Sequence, residues 1–168
     1  REAGGSLYTF ERDKAGFAAK NALPFRHQNG PAEVMAASGD LVVAGAPYSG
    51  KLPEQGVVFV YRRDKTSFKQ QAELVETDAG ETRHFGSSVA VGKSTLAAAS
   101  EKQISVFTET EGRWQESARI SPPGITGLVG FSNLAVAEEV LAVGIHLSGA
   151  GRVLLYRKRD GEWKLDRA

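Results

Sequence analysis

Residues 56–68 read GVVFVYRRDKTSF. A glycine opens a run of branched and aromatic residues that closes on Tyr61, a polar stretch rich in turn formers follows, and Phe68 comes seven positions after Tyr61. Such a run, bounded in this way, predicts two antiparallel strands joined by a tight turn. The arrangement recurs in GSLYTF ending at Phe10, QISVF ending at Phe107 and GRVLLY ending at Tyr156. A second aromatic follows each at the same offset of seven: Phe17, Trp114 and Trp163. The first aromatics are 51, 46 and 49 residues apart along the chain. A repeat of this length marks one supersecondary unit that buries its apolar faces by stacking on its neighbours.

The segments between hairpins repeat too. Val34-x-Ala36, Val89-Ala90-Val91 and Leu134-Ala135-Val136 are short apolar strands, and each leads into a second strand opened by Leu41, Leu96 and Leu141 (LVVAGA, LAAAS, LAVGI). Small apolar residues on both parities predict strands covered on both faces. The strand after the second aromatic is more polar: Phe68, Ala72 and Leu74 are assigned to one face, and Lys69, Gln71 and Glu73 to a wet one. Each repeat thus holds four short antiparallel strands, and no segment shows sustained helical periodicity. The expected fold is all-β, a β-propeller of four-stranded antiparallel blades. About three and a half blades fit residues 1–168 as one propeller region: a half blade of two outer strands in 1–31, then blades in 32–83, 84–130 and 131–168. A β-solenoid is the lesser alternative, because its coils are shorter and lack paired hairpins.

Composition narrows the function classes. The 168 residues are 41% hydrophobic and 24% charged, which suffices for a core without disulfide staples. Lys and Arg number 21 against 20 Asp and Glu, so nothing suggests the one-sided basic surface of a nucleic-acid or anionic-membrane binder. Zero cysteine removes zinc ribbons, thiol catalysis and disulfide frameworks together. No apolar run approaches the ~18 residues of a membrane span, and residues 1–10 lack a signal-peptide core.

The stretch ELVETDAGETRHFGSSVAVGKSTLAAAS, followed by a strand, a turn and RWQESARI, resembles the FG-GAP repeat of bacterial surface proteins, related to the blades of the integrin α-subunit propeller. Phe85-Gly86 supplies the FG, and Gly45-Ala46-Pro47 in the preceding repeat supplies the GAP. The third repeat departs with Phe131-Ser132, and Ser100-Glu101 and Gly144-Ile145-His146 stand where GAP is expected. The resemblance implies a secreted or cell-surface binding module. Relatives of this kind often carry a D-x-D-x-D-G calcium loop between the two inner strands. Here those turns are 37–40, 92–95 and 137–140, and none has the spaced carboxylates for a cage of ~6 to 8 oxygens, so no calcium or other cofactor is expected.

Other chemical motifs have plainer readings. Gly45-Ala46-Pro47-Tyr48-Ser49-Gly50-Lys51 follows a strand and satisfies most of a phosphate-binding loop. Leu52 replaces the required hydroxyl, however, and a strand follows where a helix N-terminus is needed. Gly92-Lys93-Ser94-Thr95 reads as a tight turn, and Arg157-Lys158-Arg159 as solvated hairpin charge. In a four-stranded blade the connections from strand 2 to 3 and from strand 4 to the next blade emerge on one side. These are the longer ones, and long loops on a rigid scaffold are where binding concentrates. The candidate binding face comprises Arg26, His27, Tyr48, Lys51, Asp78, Glu81, His84 and His146. Glu76, Asp78 and Glu81 read most simply as a solvated acidic turn, and no catalytic group or metal set is assigned.

The expected function is a non-enzymatic binding or adhesion scaffold that recognises a protein or glycan. A propeller lyase or hydrolase with a site at the channel mouth is the alternative, and a structural spacer in a larger surface protein is the third. Three and a half blades fall below the usual ring, so closure is expected from the remainder of a longer chain or from a second copy.

Overall fold

The computed structural model describes residues 5–25, 32–52, 54–65, 67–76, 84–123, 131–147 and 150–167. These form strands in four antiparallel sheets. β1 (Gly5–Asp13) and β2 (Gly16–Phe25) pair alone. The first full sheet is β3 (Val34–Ser38), β4 (Leu41–Ala46), β5 (Val57–Asp64) and β6 (Ser67–Leu74). The middle sheet is β7 (Ser88–Val91), β8 (Thr95–Ala99), β9 (Ile104–Thr110) and β10 (Arg113–Ile120). The last is β11 (Phe131–Ala137), β12 (Val140–Leu147), β13 (Ala150–Arg159) and β14 (Glu162–Arg167). Every strand pairs with its sequence neighbour, so each sheet is a meander.

The seven-residue aromatic spacing has a single geometric meaning in all four hairpins. Phe17, Phe68, Trp114 and Trp163 stand opposite Arg12, Arg63, Glu109 and Lys158, each two residues beyond the first aromatic. Directly opposed residues share a face, so the two aromatics of each hairpin project on the same side. Lys65, Glu111 and Asp160 take positive φ at the turns, as the two-residue connection of a right-twisted hairpin demands.

The register of every hairpin also slips once, at Thr9/Phe10, Val60/Tyr61, Glu116/Ala118 and Leu155/Tyr156. The extra residue is Lys20, Gln71, Ser117 or Asp166, always three beyond the second aromatic. A bulge reverses the parity of the residues on its two sides. Phe68 therefore packs with Val57, Phe59 and Tyr61 on one face, while Ala72 and Leu74 pack with Val58 and Val60 on the other. This corrects the expectation that the three share a face. A second correction concerns the leucines. Leu41 pairs with Arg62, whereas Thr95 pairs with Thr108 and Val140 with Arg157. The counterparts of Leu41 are thus Thr95 and Val140, and Leu96 and Leu141 lie one position on, pointing the other way.

Each full sheet has two unlike faces. One carries the aromatic pair, and the other is aliphatic. The aliphatic face of the first sheet (Val43, Val58, Val60) packs on the aromatic face of the middle sheet (Val89, Leu96, Phe107). The aliphatic face of the middle sheet (Ala97, Ile104, Val106) packs in turn on the aromatic face of the last (Leu141, Val143, Tyr156). The stack therefore has a direction. Its middle member is covered on both sides, which accounts for β7 and β8 being buried throughout and built from small residues. Inner strands touch most closely: β7 lies against β3 and β4, and β11 against β7 and β8. Contact between the outer strands β6, β10 and β14 is thin, so the sheets splay outward from a shared inner line.

Candidate functional site

Antiparallel pairing sends the β5–β6, β9–β10 and β13–β14 hairpin turns and the tight β3–β4, β7–β8 and β11–β12 turns to one side of the stack. The β4–β5 loop, the segment before β7 and the β8–β9 turn go to the other. On that second side the first and middle sheets meet through glycine. A β-carbon placed on Gly45 would lie 2.0 Å from the carbonyl oxygen of Gly86, and one on Gly56 would lie 2.1 Å from that of Phe85. Gly86 has φ +87°, and its N–H donates to the Ala99 carbonyl at 2.8 Å. Phe85, fully buried, stands 6.0 Å from the Phe107 ring. The residues quoted above as FG and GAP are thus two halves of one seam: the GAP glycine leaves room, the FG glycine turns the backbone into it, and the phenylalanine plugs the core beneath. Burying one such side chain contributes roughly 3 kcal/mol.

The seam fixes the loop above it. The Phe85 N–H donates to the Gln55 carbonyl, and Gly56 and Phe85 form an isolated parallel bridge. The His84 N–H donates to the Glu54 carbonyl at 2.7 Å, and Gly56 closes the loop onto the Ser49 carbonyl at 2.7 Å. Gln55 Oε1 accepts from the N–H groups of Lys51 and Leu52. This internal hydrogen bonding fixes the described residues of the loop, 47–52 and 54–56, with Tyr48, Lys51 and Leu52 exposed. His84, at φ +60°, places its ring 5.0 Å from that of Tyr48 in an edge-to-face contact at 66°. Its Nδ1 lies 2.9 Å from Glu101 Oε1, while Nε2 is buried without a hydrogen-bond partner among the described residues. Residues from the β4–β5 loop, the approach to β7 and the β8–β9 turn therefore converge on one patch centred on the Tyr48 and His84 rings.

Beneath this patch lies a buried acid. Glu76 is 3% exposed, and its Oε1 accepts hydrogen bonds from Ser100 Oγ and Ser105 Oγ, both at 3.1 Å, and from Gln103 Nε2 at 3.3 Å. The reading of Glu76 as part of a solvated turn is corrected: its carboxylate ties the exit of the first sheet to the middle one. Its only trace in the sequence is Ser100 and Ser105, polar residues at otherwise apolar strand ends, and they do not by themselves point to an acid so far back in the chain.

On the opposite side the charges form braces. Arg62 spans two sheets, reaching Asp40 at 2.6 Å and Glu109 at 2.5 Å, and Gln71 bonds Glu109, Arg62 and Trp114 from its bulge. Burial works against the Arg62 charge, but its bonds to Asp40 and Glu109 outweigh this and hold its pKa above the ordinary value. In the β7–β8 turn the N–H groups of Lys93 and Ser94 point at an anion, the Glu138 carboxylate, which Ser94 Oγ also bonds at 2.6 Å. The Ser94 hydroxyl, followed by these backbone donors, draws the Glu138 pKa down despite partial desolvation. The glycine-lysine turn read from sequence is therefore filled by the chain's own carboxylate. The other glycine-lysine motif, 45–51, leads into strand β5 and so lacks the helix N-terminus of a phosphate site.

Of the eight candidate residues, Tyr48 and His84 are brought together, with Lys51 on the same loop. His146 lies inside β12 rather than in a loop and is exposed on the outer face of the last sheet, away from His84. Arg26, His27, Asp78 and Glu81 lie outside the described residues. Among the described residues, no group of three or more His, Asp and Glu is arranged to hold a metal ion. Compared with known proteins, the chain matches no family model and no curated protein sequence.

Proposed function

We propose that these sheets are blades of an FG-GAP-like, integrin-α-like β-propeller that serves as a non-enzymatic binding scaffold, secreted or displayed on a bacterial surface. Three features support the propeller: the one-way stacking of sheets, their outward splay, and the glycine seam built from the FG and GAP residues. The recognition reading rests on one observation, the packing of exposed Tyr48 against His84 on the loop side. A ring held by its neighbour, with Lys51 and Leu52 exposed on the same loop, offers an aromatic and apolar contact at small cost in side-chain entropy, which suits a protein or glycan surface. A propeller enzyme gains less support, because a general base must reach substrate and His84 Nε2 faces the interior.

A glycan array and a surface-protein pull-down with the 168-residue chain test the reading, alongside Tyr48→Ala and Lys51→Glu. Binding lost in both variants, with melting unchanged, supports it. Binding indifferent to substitutions on this side would sink it in favour of a spacer.

A further inference from the structure

The two ends of the stack are complementary. In each of the two built interfaces an aliphatic face takes in one aromatic pair: Phe107 and Trp114 enter the first sheet's face, and Tyr156 and Trp163 enter the middle sheet's face. The aliphatic face of the last sheet takes in no such pair among the described residues. It is a hollow of about 530 Å³ floored by Ala135, Ala142 and Gly144 and edged by Val153, itself 60% exposed, with the polar Asn133, His146 and Arg152 at its margin. At the other end, the β1–β2 hairpin holds the matching pair largely exposed, Phe10 at 58% and Phe17 at 74%, with Tyr8 at 61%; Tyr8 and Phe10 also edge a hollow of about 360 Å³ against Met35, Val42 and Phe68 of the first sheet, which Phe17 does not line. Register puts these side chains where Tyr61 and Phe68, or Phe107 and Trp114, stand in their own hairpins.

We infer that two copies of this chain associate head to tail, the Phe10 and Phe17 face of one seating in the Ala135, Gly144 and Val153 hollow of the other. The contact continues the two interfaces already present, with the same direction and the same pairing of bulky aromatics against small aliphatics. Contiguous apolar surface of this kind marks an interaction site. The surfaces differ, so the association is heterologous: each copy keeps one free end of each kind unless the set closes into a ring. It does not depend on the loop-side recognition.

Light scattering across a concentration series of the 168-residue chain tests this, with Phe17→Glu and Val153→Glu as the variants. The wild type is expected above its 18.0 kDa chain mass, and each variant alone at that mass. The decisive arm is the equimolar mixture: Phe17→Glu keeps an intact hollow and Val153→Glu an intact aromatic face, so one contact is restored and a species of twice 18.0 kDa forms. Circular dichroism confirms that both variants keep their strands. Should one fail to fold, Phe10→Ser and Ala135→Asn repeat the comparison. A wild type that stays monomeric throughout overturns the inference, and so does an oligomer that survives both substitutions or is not rescued by mixing.

Discussion

The carbonyl oxygen of Gly86 occupies the space that a side chain on Gly45 would need, 2.0 Å from the ideal β-carbon position. The obstacle is backbone held by its own hydrogen bond to Ala99, so it cannot swing aside as a flexible side chain would. Gly45→Ala is expected to pry the first two sheets apart and to lower stability by roughly 3 kcal/mol or more. Gly39 is the control. Its φ of +60° is strained for alanine, yet a β-carbon there meets nothing within 4 Å, so Gly39→Ala should cost about 1 kcal/mol. Urea denaturation of the two variants makes the comparison, and equal losses would refute the seam.

Removing the Glu76 carboxylate leaves Ser100 Oγ and Ser105 Oγ inside the protein without the acceptor both now share. Glu76→Ala should therefore cost about 2–4 kcal/mol, and Glu76→Gln, which keeps an acceptor oxygen, clearly less. Thermal melts of the pair check the ordering. A harmless Glu76→Ala would mean that the acid is as solvated as its sequence context suggests.

Arg62 bridges Asp40 and Glu109 with its two terminal nitrogens, a geometry that lysine cannot reproduce. Arg62→Lys and Arg62→Met should both lose about 1–2 kcal/mol, a figure kept low because a third of the Arg62 side chain is exposed. The difference from wild type should narrow as salt is raised, since the Asp40 arm is screened. Melting curves at low and high ionic strength would show it.

The Glu138 pKa is lowered below its ordinary 4.5 in the folded chain, so its contribution is present above that value and fades as pH falls through the folded pKa. Glu138→Gln is expected to melt below wild type at pH 7 by the equivalent of up to about 1 kcal/mol, with the gap narrowing as pH falls below 4.5. A gap that persisted in acid would place the effect elsewhere than in the charge.

Much of this architecture was legible because it repeats. Four aromatic pairs at one offset marked four hairpins, and the small apolar runs between them marked the inner strands, covered on both faces in β7 and β8 but open on one face in β3 and β11. What escaped was parity. A bulge adds a residue without leaving a mark in hydropathy, so Phe68 looked to be in phase with Ala72 and Leu74 although Gln71 separates them. Residue type misled likewise at Leu41, which resembles Leu96 and Leu141 but answers to Thr95 and Val140, because register follows backbone pairing from the turn rather than side-chain likeness. At the candidate site, the side of the stack was readable from strand order. The meeting of Tyr48, His84 and Glu101 was not, since it depends on how one sheet docks on the next, and neither was Glu76, whose partners lie 24 and 29 residues further along the chain.

The meander order carries a kinetic consequence. Among the described residues every strand of a sheet finds its partner next in sequence, so none of these sheets waits on a distant segment, and the hairpin turns bring the first contacts together over a few residues. Such a chain has no obligatory starting point: any hairpin can nucleate, and order then spreads to the neighbouring unit as each newly formed face becomes the template for the next.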